Sequence, residues 1–371
     1  MSIQTIGVGS SANDGTGDPA RTAFLKVNAN FAELYGIYGS EVEAFTFTTK
    51  QNDLAVAAGT RILRWNGAGT TGITGIAAPS TARVVTIVNA STDYLLWLEN
   101  ENTASAAANR LMLPDGFPAF LMPGDTITLF YDLTTARWRV LSWPTRGQAM
   151  GLAEFSDGAE TQALRYNSSG TGAGVVTVSV SASAYEFGVV SVGTGTTATG
   201  RAGVGNAHNT STVHQMVSAR GPALVVAKIQ RVTANSASET YDAFVGFNNA
   251  NGGTFTNGAT WVERWNGSAE EWAMAVADNG VVAYDTTGAP APSGNSLWLA
   301  VFLSSDGLQA DFLYSSDGLA WTLAARKASG IASVINRNYT PQVEIVKSAG
   351  LTTREMRVDF LGTRYGHARR A

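Results

Sequence analysis

The chain has 371 residues, of which only 15% are charged; its formal net charge is −4, and it carries 40 glycines and no cysteine. Disulfides and thiolate metal sites are therefore excluded, and no basic face of the kind that nucleic-acid binding needs is present. Abundant Gly, Thr, Ser, Ala and Val is the composition of a turn-rich, mainly β protein rather than a helical enzyme, and the length allows two or three domains. No apolar run reaches the length of a membrane span, so no membrane insertion is expected. The first residues lack a basic region followed by an apolar core, so no secretory signal is expected either.

Ile3 to Val8 can form a short extended arm. The amphipathic helix that follows is the one convincing helix in the sequence. Asp18 is placed as its N-cap and Pro19 at its first position, where a missing N–H costs nothing. Phe24, Val27, Phe31 and Leu34 recur at spacings of three and four and form one apolar stripe. Gly36, just after Tyr35, can close the helix in the left-handed conformation. About four turns of helix are marginal alone in water, so the stripe calls for copies of itself or for a partner protein.

Asn13-Asp14-Gly15-Thr16-Gly17-Asp18, followed by Arg21-x-Ala23-Phe24-x-Lys26-x-Asn28-x-Asn30-Phe31-x-Glu33-Leu34-Tyr35, resembles the N-terminal motif of tailed-bacteriophage fibres, tailspikes, baseplate components and head fibres. Only Pro19-Ala20 departs from the usual pattern. The resemblance implies a segment joining a trimeric fibre to a portal, capsid or baseplate protein. Carried over residue by residue, attachment falls to Asn13, Asp14, Gly15, Gly17, Asp18, Arg21, Phe24, Val27, Asn28, Asn30, Phe31, Leu34 and Tyr35. The same stretch contains Gly15-x-Gly17-x-x-Ala20, a superficial dinucleotide fingerprint. Asp18 would repel a pyrophosphate there and Pro19 removes one N–H that would bind it.

Residues 1–44 are thus read as an anchor. Residues 45–145 follow as a β-domain whose runs at 62–65, 83–88, 94–98, 126–131 and 137–141 are bounded by Gly, Asn, Asp or Pro. Asn66-Gly67 and Asp115-Gly116 are tight-turn dipeptides. Val88-Asn89, Leu113-Pro114, Leu121-x-Pro123-Gly124-Asp125 and Leu129-x-Tyr131-Asp132-x-Thr134-Thr135-x-Arg137-Trp138 resemble a phage-fibre module that forms a small β-knob in the stem. Trp97 and Trp138 are read as core or subunit interface rather than sugar platforms.

Residues 146–174 are read as a linker and 175–371 as an antiparallel sandwich, given eleven further strand-like runs and dense Asn-Gly and Asp-Gly turns. The segment Leu297 to Leu303, Asp306-Gly307, Ala310 to Tyr314, Asp317-Gly318 and Trp321 looks like the late hairpins of a concanavalin-like jelly roll, which implies carbohydrate binding without establishing it.

Glu263, Glu270, Glu271, Asp311 and Asp359 are the acids available for glycoside hydrolysis, which needs two facing carboxylates; no spacing pairs them, and no Gly-x-Ser-x-Gly elbow occurs. His208 and His214 lack an adjacent carboxylate pattern for a metal. Asn248-Asn249-x-Asn251 could help hold calcium, though a turn explains it better. No cofactor and no metal is expected. Aromatic rings stack on sugar C–H faces while amides reach hydroxyls, so Trp265 and Trp272 beside turns, Tyr284, Asn248 and Asn249 are the glycan-binding candidates; Trp261, Trp298 and Trp321 are assigned to the core. The expected protein is a homotrimeric, non-enzymatic virion fibre or spike: a helical anchor, a β-knob stem and a jelly-roll head that binds a host surface polysaccharide. The alternatives are an enzymatic tailspike depolymerase and a purely structural decoration protein.

Overall fold

A computed structural model describes residues 4–11, 14–38, 41–143, 151–154, 165–169, 174–179, 189–205, 216–217, 222–249, 255–292, 294–331 and 338–365. Among the described residues, apart from one N-terminal helix, Ala20–Tyr38, and two short 3-10 turns, the regular structure is β. The helix runs through Gly36 rather than stopping at it. Asp18 also departs from expectation: its carboxylate accepts the Gly7 N–H (2.7 Å) and the Lys26 ammonium (2.7 Å), so it fastens the preceding arm instead of capping the first turn.

The knob is a short solenoid. Glu41–Phe45, Thr60–Trp65 and Val84–Asn89 stack in parallel, and Thr71–Ile73 lies parallel to Leu96–Leu98 in a second stack. Each coil thus lends a segment to both stacks. Asn66-Gly67 is consequently a corner between stacks and not a hairpin turn. A Cβ on Gly67 would come within 2.6 Å of both the Phe47 carbonyl and the Trp65 ring. Antiparallel Thr126–Asp132, Arg137–Ser142 and Ala119–Leu121 close the module. Its core holds Leu63, Trp65, Ile87, Leu98, Ile127 and Trp138, with the Trp138 indole donating to the Ile76 carbonyl (2.9 Å). Asn89 donates to the carbonyls of Tyr94 (2.9 Å) and Leu121 (2.8 Å), and Asp125 accepts the Met122 N–H (2.7 Å). Those bonds give the Asn89 and Pro-Gly-Asp positions of the motif a structural task.

The remainder is a sandwich of two eight-stranded sheets, each a path of seven strands with an eighth beside it, Gly151–Glu154 on the first and Met216–Val217 on the second. The first sheet runs Val175–Ser179, Val189–Gly193, Glu355–Tyr365, Ala223–Arg231, Ser296–Leu303, Ala310–Ser315, Thr322–Lys327. The second runs Arg165–Ser169, Arg201–Gly205, Asn338–Lys347, Tyr241–Asn248, Gly258–Trp265, Glu270–Asp278, Val281–Asp285. Within the stretch read as a linker, Gly151–Glu154 pairs with Glu355–Tyr365 and Arg165–Ser169 with Arg201–Gly205, so parts of it belong to the sandwich. Val225, Ala227, Tyr241, Val245, Trp261, Met274, Val301 and Phe312 meet between the sheets.

Knob and sandwich share a third apolar cluster. Trp97, Leu95 and Met122 pack on Trp298, Phe302, Leu313 and Trp321, which places these three tryptophans in packed interior as expected. At its centre Glu99, fully buried, accepts from Lys50 Nζ (2.7 Å), the Trp97 indole (2.8 Å) and the Trp321 N–H (2.9 Å). Beside it Asp311 holds Arg326 through two bonds of 2.5 and 2.7 Å and accepts the Thr70 hydroxyl. Arg326 in turn donates to the Asp93 carbonyl (3.0 Å) and lies 3.9 Å over the Tyr94 ring. Removing one partner of a buried charge network costs about 3–5 kcal/mol. Glu99→Ala is therefore expected to destabilise the chain by that order and to split thermal unfolding into two calorimetric transitions; a single transition at the wild-type Tm would refute the shared core.

Candidate functional site

Two regions carry the residues singled out in the sequence. In the first, polar motif positions are consumed by the motif itself. Asp14 accepts from the N–H groups of Ser10 (2.6 Å), Ser11 (2.7 Å) and Thr16 (2.9 Å) and from the Ser10 hydroxyl (2.7 Å), which holds its carboxyl well below the usual carboxylate range. Lys26 ties the Thr5 carbonyl (2.9 Å) to Asp18, and Asn30 makes a reciprocal pair with the Gln4 backbone (2.9 Å each way). A Cβ on Gly17 would lie 3.0 Å from the Gly7 carbonyl, so the arm and the turn can close only over a glycine. The arm thereby folds back along the helix. Of the apolar stripe, Phe24 is 68% and Phe31 52% exposed, Leu25 beside them is 60% exposed, and Val27 is half-buried. Gly15, Arg21 and Asn28 lie at the surface of this unit. Asn13 and the side chains of Leu34 and Tyr35 lie outside the described residues.

The second region is the sandwich. Trp272 is 3% exposed and cannot stack on a sugar: alternation from the turn puts it opposite Glu263 on the core face. Trp265 is half-buried and Tyr284 is 43% exposed, but the register sets them on opposite faces of the second sheet. Trp265 pairs with Glu270 on the side of Trp272, whereas Tyr284 pairs with Ala275 on the other. Asn249 spends its carboxamide on its own turn, with Thr256 and Asn257 donating at 3.0 and 2.8 Å and its amide reaching the Thr256 hydroxyl at 2.7 Å. Asn251, His208, His214 and His367 lie outside the described residues.

The acids named in the sequence are all engaged. Glu263 and Glu270 share Arg231, Glu271 pairs with Arg264 (3.4 Å), Asp311 with Arg326, and Asp359 with Lys228. Glu344, which the sequence reading passed over, differs. It is 1% exposed; Oε2 accepts from Gln342 at 3.3 Å, Oε1 has no hydrogen-bond partner, and burial pushes its carboxyl up to about 8. Gln342 also donates to the Asn248 carboxamide oxygen. Asn248, Gln342, Glu344, Asp242, Arg264 and Tyr284 share the face turned away from the first sheet, because Val343, Ile345, Ala243 and Val245 fill the alternate positions inward. Arg264 lies 4.1 Å over the Tyr284 ring, and burial raises Asp242. The signal for Glu344 was legible as strict alternation in Gln342-Val343-Glu344-Ile345. Among the described residues no group of three or more potential metal ligands occurs, and no helix is long and apolar enough to cross a membrane.

No protein-family model matches the sequence, and no curated protein matches it. Solved structures give distant likenesses. One is a protein of unknown function from Shewanella oneidensis MR-1 (TM-score 0.45, 11% identity, 60% of this chain and 89% of that one). Peanut lectin with a nine-residue peptide is another (0.39, 10%, 59% and 98%). A third is a carbohydrate esterase of the Shiga toxin-encoding bacteriophage phi24B (0.37, 10%, 59% and 100%).

Glu344 also makes stability pH-dependent. Its folded-state value lies above the ordinary glutamate value of 4.5, so between those two values the native state holds a proton that the unfolded state has lost, and stability falls as pH rises. Urea midpoints are expected to decline from pH 5 to pH 8 with a slope that Glu344→Gln reduces. An identical slope in the variant would show that Glu344 is ionised throughout.

Proposed function

We propose that this chain is a subunit of a tailed-phage fibre or spike, fixed to the virion through residues 4–38 and binding a host surface polysaccharide through the sandwich. The observation that carries the first half is the folded-back arm. Asp14, Asp18, Lys26 and Asn30, the polar positions of the attachment motif, are satisfied within it, while Phe24, Leu25 and Phe31 stay at the surface. An isolated amphipathic helix gains stability from packing, and joining two further copies and a portal, capsid or baseplate protein supplies it. Three heads on one fibre add avidity to individually weak glycan sites. The shared core of knob and sandwich supports a stiff distal unit, which suits an adhesin.

One observation favours a depolymerase as the second reading. Asp242 and Glu344 are on the same face of adjacent strands, and Val346, two residues along from Glu344, pairs with Asp242. Diagonal neighbours of this kind lie about 7–8 Å apart, within the roughly 6.5–9.5 Å range of inverting glycosidases.

Attachment is tested by mixing the full chain with virions of the encoding phage that lack it. Wild type is expected to co-sediment, whereas Phe24→Glu with Phe31→Glu is expected to stay in the supernatant; equal pelleting of both overturns the role of the helix. Adhesion is measured on host cells before and after their polysaccharide is stripped. Release of reducing ends that Asp242→Asn abolishes would replace adhesion with cleavage.

A further inference from the structure

We propose that the rim where the knob meets the first sheet, formed by Phe117, Phe360 and Trp298 beside the Lys228–Asp359 pair, binds a pyranose ring of the host polysaccharide through its C–H face and two vicinal hydroxyls. This rests on the adhesin reading and names the site within it.

The site starts from an irregularity in the sheet. Lys228 pairs with Phe360 and Ile229 with Val358, so Asp359 is the extra residue of a β-bulge between Ala223–Arg231 and Glu355–Tyr365. Val358 and Leu361 belong to the core between the sheets, and the two residues separating them both face outward. Strict alternation would send one of them inward. A bulge re-aims side chains in this way, and here it sets an acid beside an aromatic ring. Phe360, Lys228 and Trp298 fall in one row across three adjacent strands, and Asp359 holds the Lys228 ammonium.

The knob supplies the third ring. Phe117 follows the turn Pro114–Gly116 and meets Trp298 edge-on, with 5.6 Å between centroids and 61° between planes. It lies within 20° of parallel to Phe360, 6.4 Å away. Parallel rings that far apart are displaced sideways rather than overlaid, and both keep surface toward solvent: Phe117 is 48% exposed and Phe360 half-buried. Trp298 forms the floor, 5.4 Å from Phe360, and Gly318 backs it so closely that a Cβ there would lie 2.7 Å from the indole. Lys228 and Asp359 are 26% and 27% exposed. An ammonium has three donors and a carboxylate about four lone-pair sites, so their mutual bond leaves positions for a ligand. A vicinal diol matches them: one hydroxyl accepts from the ammonium while its neighbour donates to the carboxylate. The C–H face of the same sugar stacks on Phe117. Because the rings come from both modules, the site exists only where knob and sandwich are docked.

The test uses the full chain and surface polysaccharide extracted from the host strain and immobilised on beads, intact or treated with periodate, which cleaves vicinal diols. Wild type is expected to bind the intact preparation and to lose about tenfold or more on the oxidised one. Phe117→Tyr, which keeps a ring, is expected to bind within about threefold of wild type. Phe117→Leu keeps an apolar cover on the joint without a stacking face, and is expected to lose about tenfold at unchanged Tm. Asp359→Asn removes the carboxylate without touching the rings; the expected loss is again about tenfold, the scale of one hydrogen bond to a charged group. Wild-type affinity in Phe117→Leu or in Asp359→Asn overturns the site and leaves the adhesin reading intact. A lowered Tm in Phe117→Leu together with full binding by Asp359→Asn marks the ring as a seal of the joint and also overturns the site. Binding unchanged by periodate overturns the diol. Failure of wild type to bind the intact polysaccharide overturns the adhesin reading, and the inference with it.

Discussion

Glu99 is the point on which the architecture turns. Its carboxylate is fully buried and takes hydrogen bonds from Lys50 and Trp97 of the knob and from the backbone of Trp321 in the sandwich. A buried charge is tolerated only when its lone pairs are filled, and here filling them requires residues more than 200 positions apart in sequence to meet. The tryptophans that surround it, Trp97, Trp298 and Trp321, could not be buried by either module alone. Two modules that read as separate beads therefore share one core, and the sandwich begins earlier in the chain than its turn-rich portion suggests.

The N-terminal unit follows the opposite logic. Its polar residues satisfy backbone groups of the arm at short range, so the arm has a defined path with little tertiary support. Apolar side chains are left over. Asp18 shows how local rules yield to this demand: a good N-cap residue beside Pro19 instead clamps Gly7 and Lys26, because Pro19 supplies the first helical carbonyl to Ala23 (2.9 Å) and the acid gains more from a cation and an otherwise free N–H.

On the sandwich, two kinds of buried acid can be told apart by their partners. Asp311 and Glu263 are buried with arginines and stabilise contacts between strands. Glu344 is buried with an amide and one open oxygen. Burial raises the carboxyl of the second kind toward the protonated form.

The helix, the mainly β character, the turn-bounded strands and the core tryptophans were determined by the sequence, because 3.6- and 2-residue periodicities and turn residues act locally. Parallel stacking in the knob was not legible, since the same Asn-Gly step serves a hairpin or a solenoid corner. Nor was the burial of Trp272 or the separation of Trp265 from Tyr284. One residue of register decides which face a side chain takes, and register is fixed only when distant strands pair. Alternation in Gln342-Val343-Glu344-Ile345 gives the face of Glu344, but only tertiary structure distinguishes it from the other acids, because its unpartnered Oε1 depends on strands that meet across the sheet.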